Sequence, residues 1–199
     1  MIVLGLTGSI GMGKSKVAQM LKFLAVPVHN SDHAVHYALS PKGSAFEQVA
    51  VMFPAAWDKK KRVIDRKILG QIVFNDEAEL KKLESVLHPI AQKSQGDFVR
   101  AMKARGRKIV ALEIPLLFET GAETRVDYTI TVTAPPAVQR RRVLSRPNMT
   151  EEKFQKILVR QMPDLEKRAR SDFVVPTGLG YAATFRALRK IMRDVKCVK

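Results

Sequence analysis

A glycine-rich loop near the start constrains the fold of this chain more than any other feature. Residues 8–15 have the pattern G-x-x-x-x-G-K-S, follow the apolar run 2–6 and precede a helical pattern. Glycines let successive backbone N–H groups turn inward onto phosphate oxygens, and the following helix adds the positive end of its dipole. The pattern therefore predicts a strand, a phosphate-binding loop and a helix, with a nucleoside triphosphate and Mg²⁺ as ligands. A glycine-rich turn without a ligand is the alternative.

The loop residues have distinct predicted roles. Lys14 is expected to reach the β- and γ-phosphates, and Ser15 to place its hydroxyl on Mg²⁺. An additional glycine, Gly11, eases close approach of the backbone to phosphate. The residues expected to bind phosphate are Gly11, Met12, Gly13, Lys14, Ser15 and Lys16.

Length and composition indicate a single globular α/β domain with room for a helical insertion. The chain has 199 residues, of which 46% are hydrophobic, enough for a sizeable core. Charges interrupt every apolar run, so no transmembrane span is predicted, and the first strand leaves no room for a signal peptide. Cys197 is the single cysteine, so an internal disulfide is excluded. We therefore expect a cytoplasmic protein with no membrane partner.

The net charge of +16 has two interpretations. Either the substrates are polyphosphates that a cationic site binds, or solvated Lys and Arg faces give incidental affinity for nucleic acid. The sequence lacks an RNA-binding aromatic motif and a zinc-binding pattern. We therefore expect no nucleic-acid partner, and a monomer or a weak oligomer.

Apolar runs and helical periodicities alternate along the chain. Strands are predicted over residues 2–7, 26–28, 108–114, 128–133 and 172–175. Helices are predicted over residues 15–24, 32–39, 43–53, 65–74, 76–87, 89–104, 135–144 and 181–195, with a further helix opening at Thr150. Asp76 and Thr150 are the candidate N-caps of their helices. Helical spacing predicts buried apolar faces for three helices: Val17, Met20, Leu21 and Leu24 in the first, Phe46, Val49, Ala50 and Phe53 in 43–53, and Ile68, Leu69, Ile72 and Val73 in 65–74. No strand is predicted within about 60–105. This order predicts an α/β fold of the P-loop NTPase type, with a parallel sheet of about five strands flanked by helices.

Three functional regions are expected within this one domain. The nucleotide-binding core covers about 1–58, 106–134 and 170–199. A helical region at about 59–105 is expected to bind the phosphoryl acceptor, and a helical lid covers about 135–169.

Sequence motifs outside the loop narrow the class of reaction. No Asp-x-x-Gly follows a strand and no Asn-Lys-x-Asp is present, which argues against a GTPase; a small-molecule kinase is favoured. Asp32, directly after the second predicted strand, is a candidate to accept the proton of the acceptor hydroxyl. It is equally suited to be the N-cap of its helix, and the two roles are compatible.

Late arginines and two glutamates are further candidates. Arg142 and Arg146 are four residues apart, and their guanidinium groups suit phosphate binding in a lid; a solvated basic helix is the alternative. Glu113 ends an apolar strand and is a candidate to hold metal-bound water. For Glu113 and Glu119, capping a helix or pairing with a lysine is the alternative.

A set of further motifs gives the chain a family resemblance. In order, they are Gly5-Leu6-Thr7-Gly8, Ile10-Gly11-x-Gly13-Lys14-Ser15, Asp32, His88-Pro89, Pro115-Leu116-Leu117-Phe118-Glu119, Gln139 with Arg142 and Arg146, Gln161, and Lys167 followed by Asp172. With these motifs the chain resembles the dephospho-CoA kinases. The segment from Pro115 to Glu119 is the most discriminating of them.

The resemblance implies the last step of coenzyme A synthesis, in which ATP with Mg²⁺ phosphorylates the ribose 3′-hydroxyl of dephospho-CoA. It implies that Asp32 is the catalytic base or the orienting carboxylate, and that Lys14 and Arg142 are catalytic too. It also implies that Arg142, Arg146 and Gly178 bind ATP, the last near the adenine. Asp32 and His88 are expected to bind the acceptor. Ser15 is expected to bind Mg²⁺ directly and Glu113 through water.

The chain departs from the family pattern at a few positions. The family commonly has an acid in place of Asn30, an arginine in place of His36 and a threonine in place of Lys16. Ser9 and Met12 replace small residues. Two rival functions stay open: another small-molecule kinase acting on a nucleoside or nucleotide, and a non-catalytic basic regulator that binds nucleotide or RNA.

Overall fold

The computed structural model describes residues 1–197, which form seven strands and nine helices. The strands are β1 (Ile2–Thr7), β2 (Val28–Asn30), β3 (Trp57–Asp58), β4 (Val63–Ile64), β5 (Ile109–Glu113), β6 (Tyr128–Thr133) and β7 (Phe173–Pro176). The helices are α1 (Lys14–Phe23), α2 (Ser31–Ala38), α3 (Phe46–Met52), α4 (Arg66–Asn75), α5 (Glu77–Ala104), α6 (Pro136–Leu144), α7 (Glu151–Val159), α8 (Asp164–Arg170) and α9 (Tyr181–Cys197).

Five strands form the main sheet, in the order β2-β5-β1-β6-β7. β1 is central and pairs in parallel with β5 and β6, and β6 pairs in parallel with β7. Within β1, the successive residues Leu4, Gly5, Leu6 and Thr7 are all buried, as expected for a strand covered on both faces. The predicted α/β fold with a five-stranded parallel sheet is confirmed.

The chain divides into two compact units, each with its own core. Unit 1 comprises Met1–His29 and the chain from Met102 onward, and unit 2 comprises Asn30–Ala101. The predicted nucleotide-binding core, acceptor-binding region and lid have different boundaries. These regions are defined by function, and they stay a prediction.

The core of unit 1 lies between the sheet and helices α1 and α9. Val17 and Leu21 of α1, Ile130 of β6 and Leu188 of α9 are fully buried in one apolar cluster. The apolar face that was predicted for α1 is therefore the face that packs on the sheet. Because α1 begins directly after the glycine-rich loop, this packing fixes the position of the loop at the end of β1.

The core of unit 2 is built by helices α2 to α5 and the short hairpin β3–β4. Phe46, Val49 and Phe53 from α3 and the residue after it pack with Leu83 and Leu87 of α5. The helical spacing that predicted a buried face for α3 is confirmed. Ile68, however, was predicted to be buried and is exposed, while its neighbour Leu69 is buried.

The second strand lies two residues later than predicted. It covers Val28–Asn30 rather than 26–28 because its first predicted residues are used otherwise. The N–H of Val26 bonds to Leu21 O at 3.0 Å at the end of α1, and Pro27 has no N–H to donate. The carbonyl of Pro27 still accepts a hydrogen bond from the N–H of Ala111 at 2.9 Å.

Two further predictions in the central segment are wrong. The helices predicted over 76–87 and 89–104 form the single helix α5, with Pro89 inside it. Proline removes one helix hydrogen bond, but Leu87 before it and Ile90 after it both pack into the core of unit 2, which favours a continuous helix. The segment predicted to lack strands contains β4, which pairs antiparallel with β3.

The capping role proposed for Asp32 is also wrong. The N-cap of α2 is Asn30, whose Oδ1 accepts a hydrogen bond from the N–H of His33 at 2.8 Å. Asp32 is the second residue of the helix, where a negative charge suits the helix dipole. The predicted caps Asp76 and Thr150, in contrast, accept the expected hydrogen bonds.

Among residues 1–197, no helix has the length and apolarity needed to cross a membrane.

Candidate active site

The glycine-rich loop owes its shape to two glycines with left-handed backbone conformations. Gly11 has φ +76° and Gly13 has φ +94°, values that residues with a side chain rarely adopt. A Cβ on Gly11 would lie 2.5 Å from Cγ2 of the buried Val143, and one on Gly13 would lie 3.1 Å from Thr177 Oγ1. Both positions therefore require glycine because of conformation and because of close neighbours.

Met12, between these glycines, points its side chain into the core of unit 1. Its Sδ accepts a hydrogen bond from the N–H of Ala134 at 3.1 Å, and its carbonyl accepts one from Thr177 Oγ1 at 2.6 Å. The thioether is thus part of the support of the loop. The predicted contact of Met12 with phosphate can involve only its main chain.

Lys14 and Ser15 open α1 at the positive end of the helix dipole. Ser15 is exposed, and its hydroxyl lies 3.5 Å from Glu113 Oε1 at the end of β5. Glu113 is only 4% exposed. Lys16, also predicted to bind phosphate, is exposed and its Nζ donates to Gln19 Oε1 at 3.3 Å.

The pair Ser15–Glu113 offers the oxygen ligands that Mg²⁺ prefers. A hydroxyl at the helix start and a buried carboxylate face each other, which fits an ion that also takes phosphate and water oxygens. The part of the chain that the structure describes contains no cluster of three or more His, Cys, Asp or Glu side chains suited to a metal.

Arg142 of α6 connects the glycine-rich loop to the segment that follows β7. Its two terminal nitrogens donate to Thr177 Oγ1 at 2.9 Å and to Thr177 O at 2.7 Å, and one of them also lies 3.4 Å from Gly11 O. Next to Thr177, a Cβ on Gly178 would lie 2.5 Å from Pro135 Cδ. The start of α6 and the segment after β7 therefore meet beside the loop. Arg146 lies beyond the end of α6 and is exposed.

A salt bridge connects α6 to α7 within the predicted lid. Arg140 pairs with Glu151 at 2.8 Å. The pKa of the Glu151 carboxyl lies below its usual value because Gln155 and Arg140 both donate hydrogen bonds to it. Arg140 therefore has a structural partner, whereas Arg142 is directed at the loop.

Two glutamines bind the main chain of Ile10 in the loop. The N–H of Ile10 donates to Gln161 Oε1 at 2.9 Å, and Gln139 Nε2 donates to Ile10 O at 2.8 Å. Gln139 lies on α6 and Gln161 follows α7. The loop is thus held by side chains from both ends of the α6–α7 segment.

A buried ion pair supports the segment beside the loop. Lys167 of α8 is fully buried, and its Nζ lies 2.8 Å from Glu119 Oε1 and 3.4 Å from Pro115 O. The same Glu119 oxygen accepts a hydrogen bond from the N–H of Met162 at 2.9 Å. Of the alternatives predicted for Glu119, pairing with a lysine is therefore the one observed.

Asp32 and His88 belong to unit 2. Asp32 is exposed in the first turn of α2, and His88 is exposed on α5. His36, in the last turn of α2, is exposed as well. Near Asp32, the buried hydroxyl of Ser31 accepts a hydrogen bond from Gln95 Nε2 at 2.9 Å, which attaches the start of α2 to α5.

The sequence matches the family model for dephospho-CoA kinase over residues 2–179. The chain belongs to the dephospho-CoA kinase family. A dephospho-CoA kinase from Mesorhizobium japonicum is 47% identical over 196 residues, which cover 98% of each chain. Two solved structures have a similar fold. A protein from Thermus thermophilus superposes with a TM-score of 0.85 at 33% identity, and a dephospho-CoA kinase from Campylobacter jejuni with a TM-score of 0.72 at 26% identity, each covering 97% of this chain and 96% of the other.

For a dephospho-CoA kinase family member, the structure brings most predicted nucleotide-site residues of unit 1 together. The loop, Glu113, Arg142 and Gly178 are connected by the contacts above. Gln139 and Gln161 were noted as part of the family pattern, but their partner could not be predicted. They lie 129 and 151 residues from Ile10 in the chain, and no local spacing reports such a contact.

Proposed function

We propose that this chain transfers the γ-phosphoryl group of ATP to the ribose 3′-hydroxyl of dephospho-CoA, giving CoA and ADP in the last step of coenzyme A synthesis. One observation carries the proposal: the G-x-x-x-x-G-K-S loop is held in an anion-binding shape in a chain that matches the dephospho-CoA kinase family over residues 2–179. The single cysteine supports a reducing compartment, and we propose the cytoplasm.

The loop residues bind the triphosphate in this proposal. The main-chain N–H groups from Gly11 to Lys16 surround the phosphates, and α1 adds the positive end of its dipole. Lys14 places its charge on the β- and γ-phosphates, where negative charge must be stabilised during transfer. The exposed side chain of Lys16 adds to the local positive potential.

Ser15 and Glu113 hold Mg²⁺ in this proposal, Ser15 through its hydroxyl and Glu113 through water. When bound, Mg²⁺ would neutralise part of the negative charge of the phosphates. Burial of Glu113 suits this role, because a carboxylate with little access to solvent stays oriented toward the Ser15 hydroxyl. The contribution of the protein is thus to orient two oxygen ligands at the end of β5 and the start of α1.

The segment 135–169 acts as the lid, and its arginines contact ATP. Arg142 is already fixed beside the loop by Thr177, so its charge is available at the phosphates with little loss of side-chain freedom. Arg146 is exposed and reaches the nucleotide when the lid closes. Gly178, packed on Pro135, leaves room for the adenine near the segment after β7.

The acceptor side rests on unit 2. Asp32 orients the 3′-hydroxyl or accepts its proton, and its freedom from the capping role leaves the carboxylate available. His88 and the helical region 59–105 contribute to binding of dephospho-CoA. In a loose phosphoryl transfer, orientation of the hydroxyl by Asp32 is sufficient.

The direct test incubates the chain with ATP, Mg²⁺ and dephospho-CoA and follows CoA. Lys14→Ala should abolish transfer, because it removes the charge on the transferring group. Asp32→Asn should lower kcat by roughly 10²–10⁴-fold and leave ATP binding intact. Lys22→Ala, an exposed lysine at the other end of α1, and His33→Gln, next to Asp32, are the matched controls and should retain activity.

The rival functions give different results in the same assay. Turnover of a nucleoside or nucleotide, but not of dephospho-CoA, would replace the proposed acceptor. No turnover with any acceptor, together with tight and salt-sensitive RNA binding, would indicate a regulator instead of an enzyme. Near-normal kcat in Asp32→Asn would remove Asp32 from the proposed mechanism.

A further inference from the structure

In the glycine-rich loop, glutamine side chains bind both polar main-chain groups of Ile10. Its N–H donates to Gln161 Oε1 at 2.9 Å, and its carbonyl accepts from Gln139 Nε2 at 2.8 Å. One glutamine accepts and the other donates. The Ser9–Ile10 and Ile10–Gly11 peptide units therefore have defined orientations, the first held by Gln161 and the second by Gln139 of α6.

Both glutamines lie close to contacts between the segment 135–169 and the rest of unit 1. Gln139 is only 6% exposed and lies in α6, whose Arg142 is fixed to Thr177. Gln161 precedes Met162, whose N–H donates to Glu119, and Glu119 is paired with the fully buried Lys167. Rotation of the peptide units on either side of Ile10 would therefore break one or both of these hydrogen bonds.

The loop itself offers little resistance to such a rotation. The next residue, Gly11, has φ +76° and no side chain to restrict the backbone. Phosphate binding requires successive N–H groups from Gly11 onward to point to one place. Their direction depends on the peptide that precedes them, so contacts that fix Ile10 also fix the direction of the phosphate-binding groups.

We propose that Gln139 and Gln161 are positioning residues that hold the loop in its phosphate-binding conformation before ATP arrives, and thereby raise affinity for ATP. This inference rests on the proposed function, because it assumes that the loop binds ATP. Neither side chain touches the nucleotide in this proposal. Their contribution is preorganisation, since a loop that is already ordered loses less conformational entropy on binding.

The test measures the Kd for ATP by calorimetry, together with thermal stability, in variants of the full chain. Gln161→Met and Gln139→Met keep the side-chain length and remove the hydrogen-bonding group. Each should raise the Kd for ATP by roughly 3- to 10-fold, the equivalent of one lost hydrogen bond, while the KM for dephospho-CoA stays unchanged. Gln155→Met is the matched control: Gln155 lies in α7, donates to Glu151 at 3.0 Å and does not contact the loop.

Glutamate variants distinguish positioning from a general structural role. Gln161→Glu keeps an acceptor for the N–H of Ile10 and should bind ATP more tightly than Gln139→Glu, which sets a carboxylate against the Ile10 carbonyl. Both variants add the same charge beside Ile10, so their difference isolates the required hydrogen-bond direction. The methionine double variant should show less than the summed effect, because both bonds hold the main chain of one residue.

Hydrogen exchange of the loop amides supplies a readout without ATP. The Ile10 N–H should exchange faster in Gln161→Met than in the parent and in Gln155→Met. The positioning proposal alone would be overturned if the parent chain binds ATP and the methionine variants bind it with the same Kd as the parent. It would also be overturned if Gln161→Glu and Gln139→Glu bind ATP with the same Kd. A parent chain that bound no ATP would overturn both this inference and the proposed function.

Discussion

Gly11 is constrained both by its backbone conformation and by a close neighbour, since its φ is +76° and an added Cβ would lie 2.5 Å from Val143 Cγ2. Gly11→Ala should therefore combine backbone strain of about 1–2 kcal/mol with overpacking of about 1–3 kcal/mol. We expect a loss of roughly 2–5 kcal/mol in the free energy of unfolding, measured with denaturant, and weaker ATP binding.

Two other glycines separate these contributions. Gly106 has φ +69° and nothing within 4 Å of an added Cβ, so Gly106→Ala should cost only the backbone strain, about 1–2 kcal/mol. Gly70 lies inside α4, also with nothing within 4 Å, and Gly70→Ala should stabilise the chain by about 0.5–1 kcal/mol. If Gly11→Ala were no more destabilising than Gly106→Ala, the close contact with Val143 would not contribute to the loss of stability.

The sequence predicted the residues of the loop better than their neighbours. The loop and the start of α1 could be predicted because they depend on short spacings within one segment. The role of Met12 could not, since its Sδ meets the N–H of Ala134, 122 residues later in the chain. Met12, which departs from the family pattern, thus makes a contact that only the folded chain reveals.

At the level of elements, the buried pair Lys167–Glu119 connects α8 to the segment after β5. Lys167 is fully buried in low-dielectric surroundings, with 0% of its side chain accessible to solvent. Removing one partner leaves a buried charge without its counter-ion, which costs about 3–5 kcal/mol. Lys167→Met should therefore lower the free energy of unfolding by about that amount, measured by denaturant titration.

The paired variant distinguishes lost charge compensation from lost packing. Lys167→Met with Glu119→Gln leaves no buried charge and should recover part of the loss. Lys81→Met is the control for an exposed pair, since Lys81 lies 2.9 Å from Glu77 with both side chains largely in solvent, and no measurable change is expected. A double variant less stable than Lys167→Met would mean that the ion pair matters less than the shape of the site.

Element prediction succeeded where one periodicity ran without interruption and failed where tertiary contacts decided. β1 was predicted with its observed bounds because six apolar or small residues precede the loop. Pro89 suggested two helices, but Leu87 and Ile90 on either side pack into one core and keep α5 continuous. β3 and β4 are two residues each, too short to leave a pattern in the sequence.

For the whole molecule, the distribution of charge matters more than its total. Unit 1 carries 24 lysines and arginines against 10 aspartates and glutamates, whereas unit 2 carries 11 against 9. Nearly all of the excess positive charge therefore belongs to the unit with the glycine-rich loop. Such a distribution raises the local concentration of polyphosphates around that unit at low ionic strength.

The exposed cations of α9 provide a test of this effect away from the site. Arg189, Lys190 and Arg193 are exposed on α9, which packs on α1 through contacts such as Phe23–Phe185. The ten residues of α1 span about 15 Å. The Debye length is about 30 Å at 0.01 M salt and about 8 Å at 0.15 M, so these charges act on ATP at the lower salt concentration only.

We therefore expect the triple variant Arg189→Gln/Lys190→Gln/Arg193→Gln to raise the KM for ATP about two- to tenfold at about 0.01 M salt. At about 0.15 M the variant and the parent should coincide, and kcat should be unchanged at both salt concentrations, since screening removes a long-range effect and leaves the chemistry intact. Lys59→Gln/Lys60→Gln/Lys61→Gln is the control in unit 2, with the same charge change. An equal rise in KM for this control would assign the effect to net charge, and a rise that persists at the higher salt concentration would assign it to a direct contact of α9 with ATP.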